Sequence, residues 1–145
     1  MSNTSTSGSQ SRWKKAQEYE AAWWQNVTDI YETDYLELLA SDIEEKLEKN
    51  GFRLPDADVI EVGAGPVGIV SFLRCRRRVA SDPLNSLFES QPAYRAHREQ
   101  AREHNVEFIE AKGEKLPYSD GEFDLLITDN VLDHTESPEK ILSEA

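Results

Sequence analysis

Cysteine is almost missing from this chain. Cys75 is the single example, which excludes an internal disulfide and suits a reducing, cytoplasmic compartment. Histidine is scarce as well: His97, His104 and His134 are scattered and, with one thiol, offer no ligand spacing for a metal, so no metal site is expected. No apolar run approaches the roughly eighteen residues that a membrane span needs, and the polar N-terminus lacks the apolar stretch of a signal peptide. Neither a membrane nor a signal-directed exit is expected. Basic residues are outnumbered, 16 against 28 acidic ones, for a net charge of -12. Electrostatic attraction supplies most non-specific affinity for a phosphate backbone, so nucleic acid is not an expected partner either. One basic run, Arg74, Arg76, Arg77 and Arg78, stands against that trend. It falls where a helix is expected to end, a position that favours cations.

What the chain does contain is organised in three parts. At 145 residues it makes one domain at most. Residues 1–11 are rich in Ser, Thr, Gly, Asn and Gln without an apolar residue, which predicts a disordered tail. Residues 12–51 predict a helical cover: a helix over 12–26 with Trp13, Ala16, Trp23 and Trp24 among its apolar positions, then a second with Leu36, Leu39, Ile43 and Leu47 at helical spacing and Asn50-Gly51 as its stop. The Trp pair is core packing or the wall of a pocket. Residues 52–145 alternate. Strands are predicted at 58–62, 78–82, 106–110 and 123–129, with helices at 66–75, within 93–104, and from Pro138, where Ser137 supplies the cap. Strands alternating with helices predict an α/β, Rossmann-like, doubly wound parallel sheet behind N-terminal helices.

The most informative stretch is Val59-Ile60-Glu61-Val62-Gly63-Ala64-Gly65-Pro66-Val67-Gly68, a buried-strand run emptying into a G-x-G-x-x-G turn. That turn fits dinucleotide-binding oxidoreductases and nucleoside-binding transferases, and also serves simple close packing. Glu61 discriminates, because a carboxylate near the end of an apolar strand costs several kcal/mol unless something satisfies it. It would repel a pyrophosphate and welcome an ammonium or sulfonium group. A ribose-binding acid is expected about twenty residues on, at the end of the second strand. Asp82 stands there, followed by Pro83. It either holds a ribose or shapes the Asp-Pro turn.

In the second half the chain reads Val106-Glu107-Phe108-Ile109-Glu110-Ala111-Lys112-Gly113-Glu114-Lys115-Leu116-Pro117-Tyr118, then Phe123-Asp124-Leu125-Leu126-Ile127-Thr128-Asp129-Asn130-Val131-Leu132-Asp133-His134. A strand, a Glu-x-Leu-Pro-aromatic turn, and a strand ending in Val-Leu-Asp-His together resemble the class I S-adenosylmethionine-dependent methyltransferases, in the group acting mainly on small molecules. The resemblance covers roughly residues 57–145. It implies S-adenosylmethionine as cofactor, methyl transfer to a small-molecule acceptor, and a cofactor site assembled from Glu61, Gly63, Ala64, Gly65, Gly68, Asp82, Pro83, Gly113, Glu114 and Asn130. Glu61, Gly63 and Gly65 would follow the methionine part, Asp82 the ribose, and the loop 112–114 the adenine, with Asn130 near the transferred methyl. Many relatives carry Asp where Lys112 stands, and lysine cannot accept a hydrogen bond. Adenine contact therefore falls to Glu114, to backbone around Gly113, or elsewhere. His134 is the nearest candidate general base, if the nucleophile must lose a proton, and otherwise a structural hydrogen-bonder. His97 and His104 lie in a polar helical stretch and are expected in solvent.

The same resemblance places the fourth strand inside the sheet, flanked by later strands that follow it in the family. This chain would lack them, so Leu125, Leu126 and Ile127 would form an apolar edge suited to self-association. The expectation is the N-terminal portion of a longer methyltransferase, or a sheet completed by association. Two other functions share the same residues: an NAD(P)-dependent oxidoreductase, and a non-catalytic module that keeps the cofactor pocket alone.

Overall fold

The computed structural model describes residues 6–26 and 31–145, the side chains of residues 6–9 and His134 excepted. Four parallel strands, β1 (Asp58–Val62), β2 (Arg77–Ser81), β3 (Val106–Ile109) and β4 (Leu125–Thr128), form one sheet in the order β3-β2-β1-β4. The Rossmann-like parallel sheet expected from the alternation is therefore present. β1 and β2 are central and buried on both faces, which is why Val59, Ile60, Val62, Val79 and Ala80 read as nearly unbroken apolar runs. Among the described residues β4 pairs only with β1, and its Leu125 and Leu126 stay half-exposed.

Helices cover the sheet: α1 (Thr6–Gln25), α2 (Asp34–Lys49), α3 (Asn85–Ser90), α4 (Pro92–Glu103) and α5 (Pro138–Glu144). α2 buries Leu36 and Ala40 against Val59, Val67 and Val70, with Leu39, Ile43 and Leu47 at the margin. It stops where the sequence says it should. Gly51, at φ +77°, lets its own N–H reach the Glu48 carbonyl at 2.9 Å and the Phe52 N–H reach Leu47 at 2.9 Å. That pair of bonds satisfies carbonyls a helix end leaves open. At the other end of the chain, Ser137 caps α5 as expected, its hydroxyl accepting from Lys140 N–H at 3.4 Å.

Four expectations are corrected. No α-helix spans 66–75; one 3-10 turn, Ile69–Phe72, replaces it. Gly68, at φ +84°, cannot continue a helix, and β2 starts at Arg77, too soon for one to form. The arginine run is therefore not a helix terminus. Arg76 meets Asp58 at 2.7 Å, Arg77 meets Glu122 at 3.1 Å and Arg74 meets Glu44 at 2.8 Å, so the acids of neighbouring segments neutralise it. Cys75, at the end of the stretch expected to be helical, is buried beside β2 and not on a helix. Finally, α1 begins at Thr6, so residues 6–11 are helical where a disordered tail was expected; residues 1–5 lie outside the described residues. Extending a helix already nucleated downstream costs little even for polar residues. α3 was not foreseen, because six residues after a proline carry too little periodicity.

Candidate functional site

The C-terminal ends of β1 and β2 meet at the glycine loop. Gly63 and Ala64 donate their N–H groups to the Ser81 carbonyl at 2.8 and 3.0 Å, and Gly65 donates to Asp82 Oδ2 at 2.9 Å. The loop is thus sewn to the end of β2 before any ligand is considered. Gly63 and Gly65 adopt φ +72° and +66°, a region side chains rarely enter. At Gly63 a Cβ would also fall 2.3 Å from a Val131 methyl, whereas at Gly65 it would meet nothing closer than a Trp24 ring carbon at 3.9 Å. Packing makes the first glycine obligatory; backbone conformation alone does so for the second.

Glu61 lies beneath this loop, 3% exposed, with Oε2 accepting the Val70 N–H at 2.8 Å. A Cβ at Gly68 would sit 2.7 Å from that oxygen, so Gly68 is the space the carboxyl occupies. Burial pushes its pKa up to about 8; the Val70 N–H pulls back, and the charges of Asp129 and Asp82 add to the rise. The residue read from sequence as a ligand-facing anion is, in this structure, mostly protonated near neutrality and ties β1 to the 3-10 turn.

Asp82 directly follows β2, buried, with Oδ2 on Gly65 N–H and Oδ1 accepting from Leu84 N–H at 2.8 Å. It shapes the turn at Pro83, the second of the two readings, and it faces the glycine loop. Each oxygen keeps a lone pair after its backbone bond. Burial raises its pKa to about 6, opposed by the two N–H groups and by the charge of Arg98, so it is ionised above that pH.

The rest of the expected set divides. Gly113 is a packing glycine, for a Cβ there would fall 2.5 Å from Val62 and 2.9 Å from Ile141. Glu114 is turned away from an adenine-binding role: its Oε1 accepts from Glu136 and Ser137 N–H at 2.8 and 3.2 Å, holding the entrance to α5. Lys112 lies 3.6 Å over the Trp13 ring and 3.8 Å from Glu136. Asn130 follows β4 at φ +54°, exposed, a conformation asparagine tolerates better than most residues. The side chain of His134 lies outside the described residues, and its backbone closes the turn Leu132–His134. His97 is not solvated as expected. Its Nε2 lies 2.7 Å from the Tyr31 carbonyl and its ring packs on the Tyr31 ring, while His104 is exposed.

Sequence reasoning expected a helical cover but not which of its residues reach the loop. α1 crosses the site: Trp13 meets Lys112, Glu20 adds its negative charge to the field at Asp82, and Trp24 roofs Gly65. Trp24 packs edge-on against Tyr31, Phe88 and Tyr94, and the Tyr94 hydroxyl donates to the Trp24 carbonyl at 3.1 Å. Of the two tryptophans expected to be core or pocket wall, Trp24 takes this place and Trp23 is exposed. Tyr31 and Tyr35 both have raised pKa values, first through burial and then through neighbouring charge that includes Glu61. Asp129 belongs to the same group, adding to the rise at both Tyr35 and Glu61. Aromatic residues near a helix terminus give no distinctive spacing, so no signal for this grouping existed in the sequence.

The donor set selects the kind of ligand. A pyrophosphate is held by the free N–H groups at an α-helix N-terminus. Here a four-residue 3-10 turn stands in that position, its Val70 N–H is spent on Glu61, and two buried acids adjoin the loop. Those groups leave a pyrophosphate few donors.

Comparison with known proteins points to one family. A curated sarcosine/dimethylglycine N-methyltransferase of Halorhodospira halochloris is 33% identical over 92 residues, 63% of this chain and 33% of the relative. The YcgJ protein of Bacillus subtilis superposes with a TM-score of 0.53 at 18% identity, covering 69% of this chain and 42% of that one, a likeness of fold. A SAM-dependent methyltransferase of Thermotoga maritima, a possible histamine N-methyltransferase, gives a TM-score of 0.48 at 21% identity, over 92% of this chain and 52% of that one. The chain thus spans about a third of the curated relative and about half of the Thermotoga structure. The family model described as a methyltransferase domain matches residues 60–145, from the middle of β1 through the glycine loop, Asp82 and β4 to α5, and by that match the chain belongs to the methyltransferase domain family.

Proposed function

We propose that this chain binds S-adenosylmethionine across the C-terminal ends of β1 and β2 and supports transfer of its methyl group to a small-molecule acceptor approaching from the end of β4. The observation that carries the reading is the joining of a positive-φ glycine loop to a buried strand-end acid by the Gly65 N–H bond to Asp82. When bound, the cofactor supplies an electrophilic methyl on a sulfonium. The chain's own residues do the rest. Asp82 keeps lone pairs for two ribose hydroxyls. Glu61, neutral while unliganded, is re-ionised by a cation brought close to it and then stabilises that charge. Asn130, held by its backbone at the end of β4, orients the reacting pair, and α1 with Trp24 excludes water. Much of the rate advantage of such a displacement comes from alignment in a dry site.

The adenine contact is assigned to backbone around Gly113, since Glu114 is committed to α5. The curated relative's name makes sarcosine and dimethylglycine the first acceptors to assay. No described helix is long and apolar enough to cross a membrane, and the buried Cys75 thiol accords with a cytoplasmic location. Self-association through the outer edge of β4 is part of the same reading, checked by light scattering.

Calorimetry with S-adenosylmethionine and its demethylated product tests the site. Binding by the parent, weakened at least about tenfold, or roughly 1.4 kcal/mol, by Asp82→Ala and by Gly65→Arg, is expected. Equal affinity in all three would remove the site from this position.

A further inference from the structure

We infer that Arg98 is a positioning residue: from α4 it clamps the glycine loop against the Asp82 turn and so sets the geometry in which a nucleoside is received. The functional part of this inference rests on the cofactor reading above; the clamp itself does not.

Arg98 is 1% exposed, an unusual place for a guanidinium, and its bonds explain why it is tolerated. Nη1 donates to the Pro66 carbonyl at 2.5 Å, and Nη2 donates to Asn85 Oδ1 at 2.5 Å and to Glu89 Oε1 at 2.8 Å. The guanidinium carbon lies 3.9 Å over the Phe108 ring of β3. These contacts close a circuit. Asp82 accepts from Gly65; Pro66, the next residue, accepts from Arg98; Arg98 donates to Asn85; and the Asn85 N–H returns to the Asp82 carbonyl at 3.2 Å. Three segments, the glycine loop, the Asp82–Asn85 turn and α4, are joined through one planar fork, which lysine cannot reproduce.

The charge matters as well as the geometry. Three titratable groups bear on Asp82 from the elements around it: Glu20 of α1, the mostly neutral Glu61 of β1 and Arg98 of α4. Two are acids, so Arg98 is the cation among them that favours the ionised carboxylate able to accept ribose hydroxyls. Tyr94, Arg98 and Ala101 follow helical spacing on the buried face of α4, and the cation stands in the middle of that stripe.

The test compares Arg98→Met, Arg98→Lys and Asn85→Ala with the parent by two readouts. Amide hydrogen exchange of the ligand-free protein reads the clamp. Arg98→Met is expected to accelerate exchange at Gly65 at least tenfold while β1 amides keep parental protection. Calorimetric titration with S-adenosylmethionine between pH 5 and pH 9 reads the function. Arg98→Met is expected to weaken binding at least tenfold at pH 8 and to move the acid-side loss of affinity to higher pH; Arg98→Lys restores the pH midpoint without full affinity. Should Arg98→Met fail to fold, Asn85→Ala opens the circuit while Glu89 still pairs with the arginine, and faster Gly65 exchange is again expected. Parental Gly65 protection in the folded variants, or an unmoved pH midpoint in Arg98→Met, overturns the inference. A parent that ignores S-adenosylmethionine, with Gly65 exchange still accelerated in the variants, leaves the clamp standing and removes the cofactor reading.

Discussion

The two halves of the sheet's C-terminal rim are built differently. On the β1–β2 side three polar groups are buried and bonded to backbone: Glu61 to Val70, Asp82 to Gly65 and Leu84, Arg98 to Pro66. On the β4 side Asp129 and Asn130 are exposed at the end of a four-residue strand. One side is set before a ligand arrives, and the other presents side chains that can change with little consequence for folding. Such a division suits a common cofactor facing a variable acceptor.

Substitutions sharpen that contrast. The largest loss is expected for Gly63→Ala, where a positive φ and a methyl 2.3 Å from Val131 combine to cost about 3 kcal/mol. Gly65→Ala meets only the φ penalty, about 1 kcal/mol, and urea denaturation of the pair should separate them. Equal losses would show that the packing distinction between the two glycines is empty.

Glu61 gives a pH-dependent effect of the next size. Its carboxyl releases its proton near 4.5 when unfolded and near 8 when folded. Between those values the folded state holds more protons, so stability falls as pH rises, by up to about 1.4 kcal/mol per pH unit. Asp82, raised to about 6, acts in the same direction at lower pH, which makes pH 6 to 8 the window for Glu61 alone. Glu61→Gln keeps an acceptor for Val70 N–H and should flatten the slope there. A parent whose urea midpoint does not change between pH 6 and 8 would refute the burial of this carboxyl.

Smaller changes belong to the β4 side. Ser137→Ala removes the α5 cap and should cost about 1 kcal/mol, seen as a lower thermal midpoint. Asn130→Gly relieves a positive φ in an exposed loop and should alter stability by no more than about 0.5 kcal/mol. If it weakens methyl transfer while leaving the melting curve alone, the side chain serves the reaction; unchanged transfer would free Asn130 from that role.

How much was legible beforehand varied with the kind of signal. The strands of the central sheet, the stop of α2 at Gly51 and the cap at Ser137 follow from local periodicity and backbone chemistry, and all three stand in the structure. The helix expected after the glycine loop does not, because Gly68 had to remain small and left-handed to make room for Glu61, a contact between residues seven apart that no periodicity reports. Glu114 pointed toward a ligand in the motif, yet it found two backbone N–H groups of the α5 entrance closer at hand. His97 looked solvated in a polar helix until Tyr31 came over it from the chain's other end.

By itself, then, the sequence determined the alternation of strands and helices, the glycine turn and the acid that follows β2, because each depends on neighbours within a few residues. Which acid is free, which is capped, where α1 lies and that an arginine is buried in the middle of it all were decided only by tertiary structure. Desolvation and hydrogen-bond competition are properties of the surroundings, and those surroundings are assembled from segments far apart in the chain.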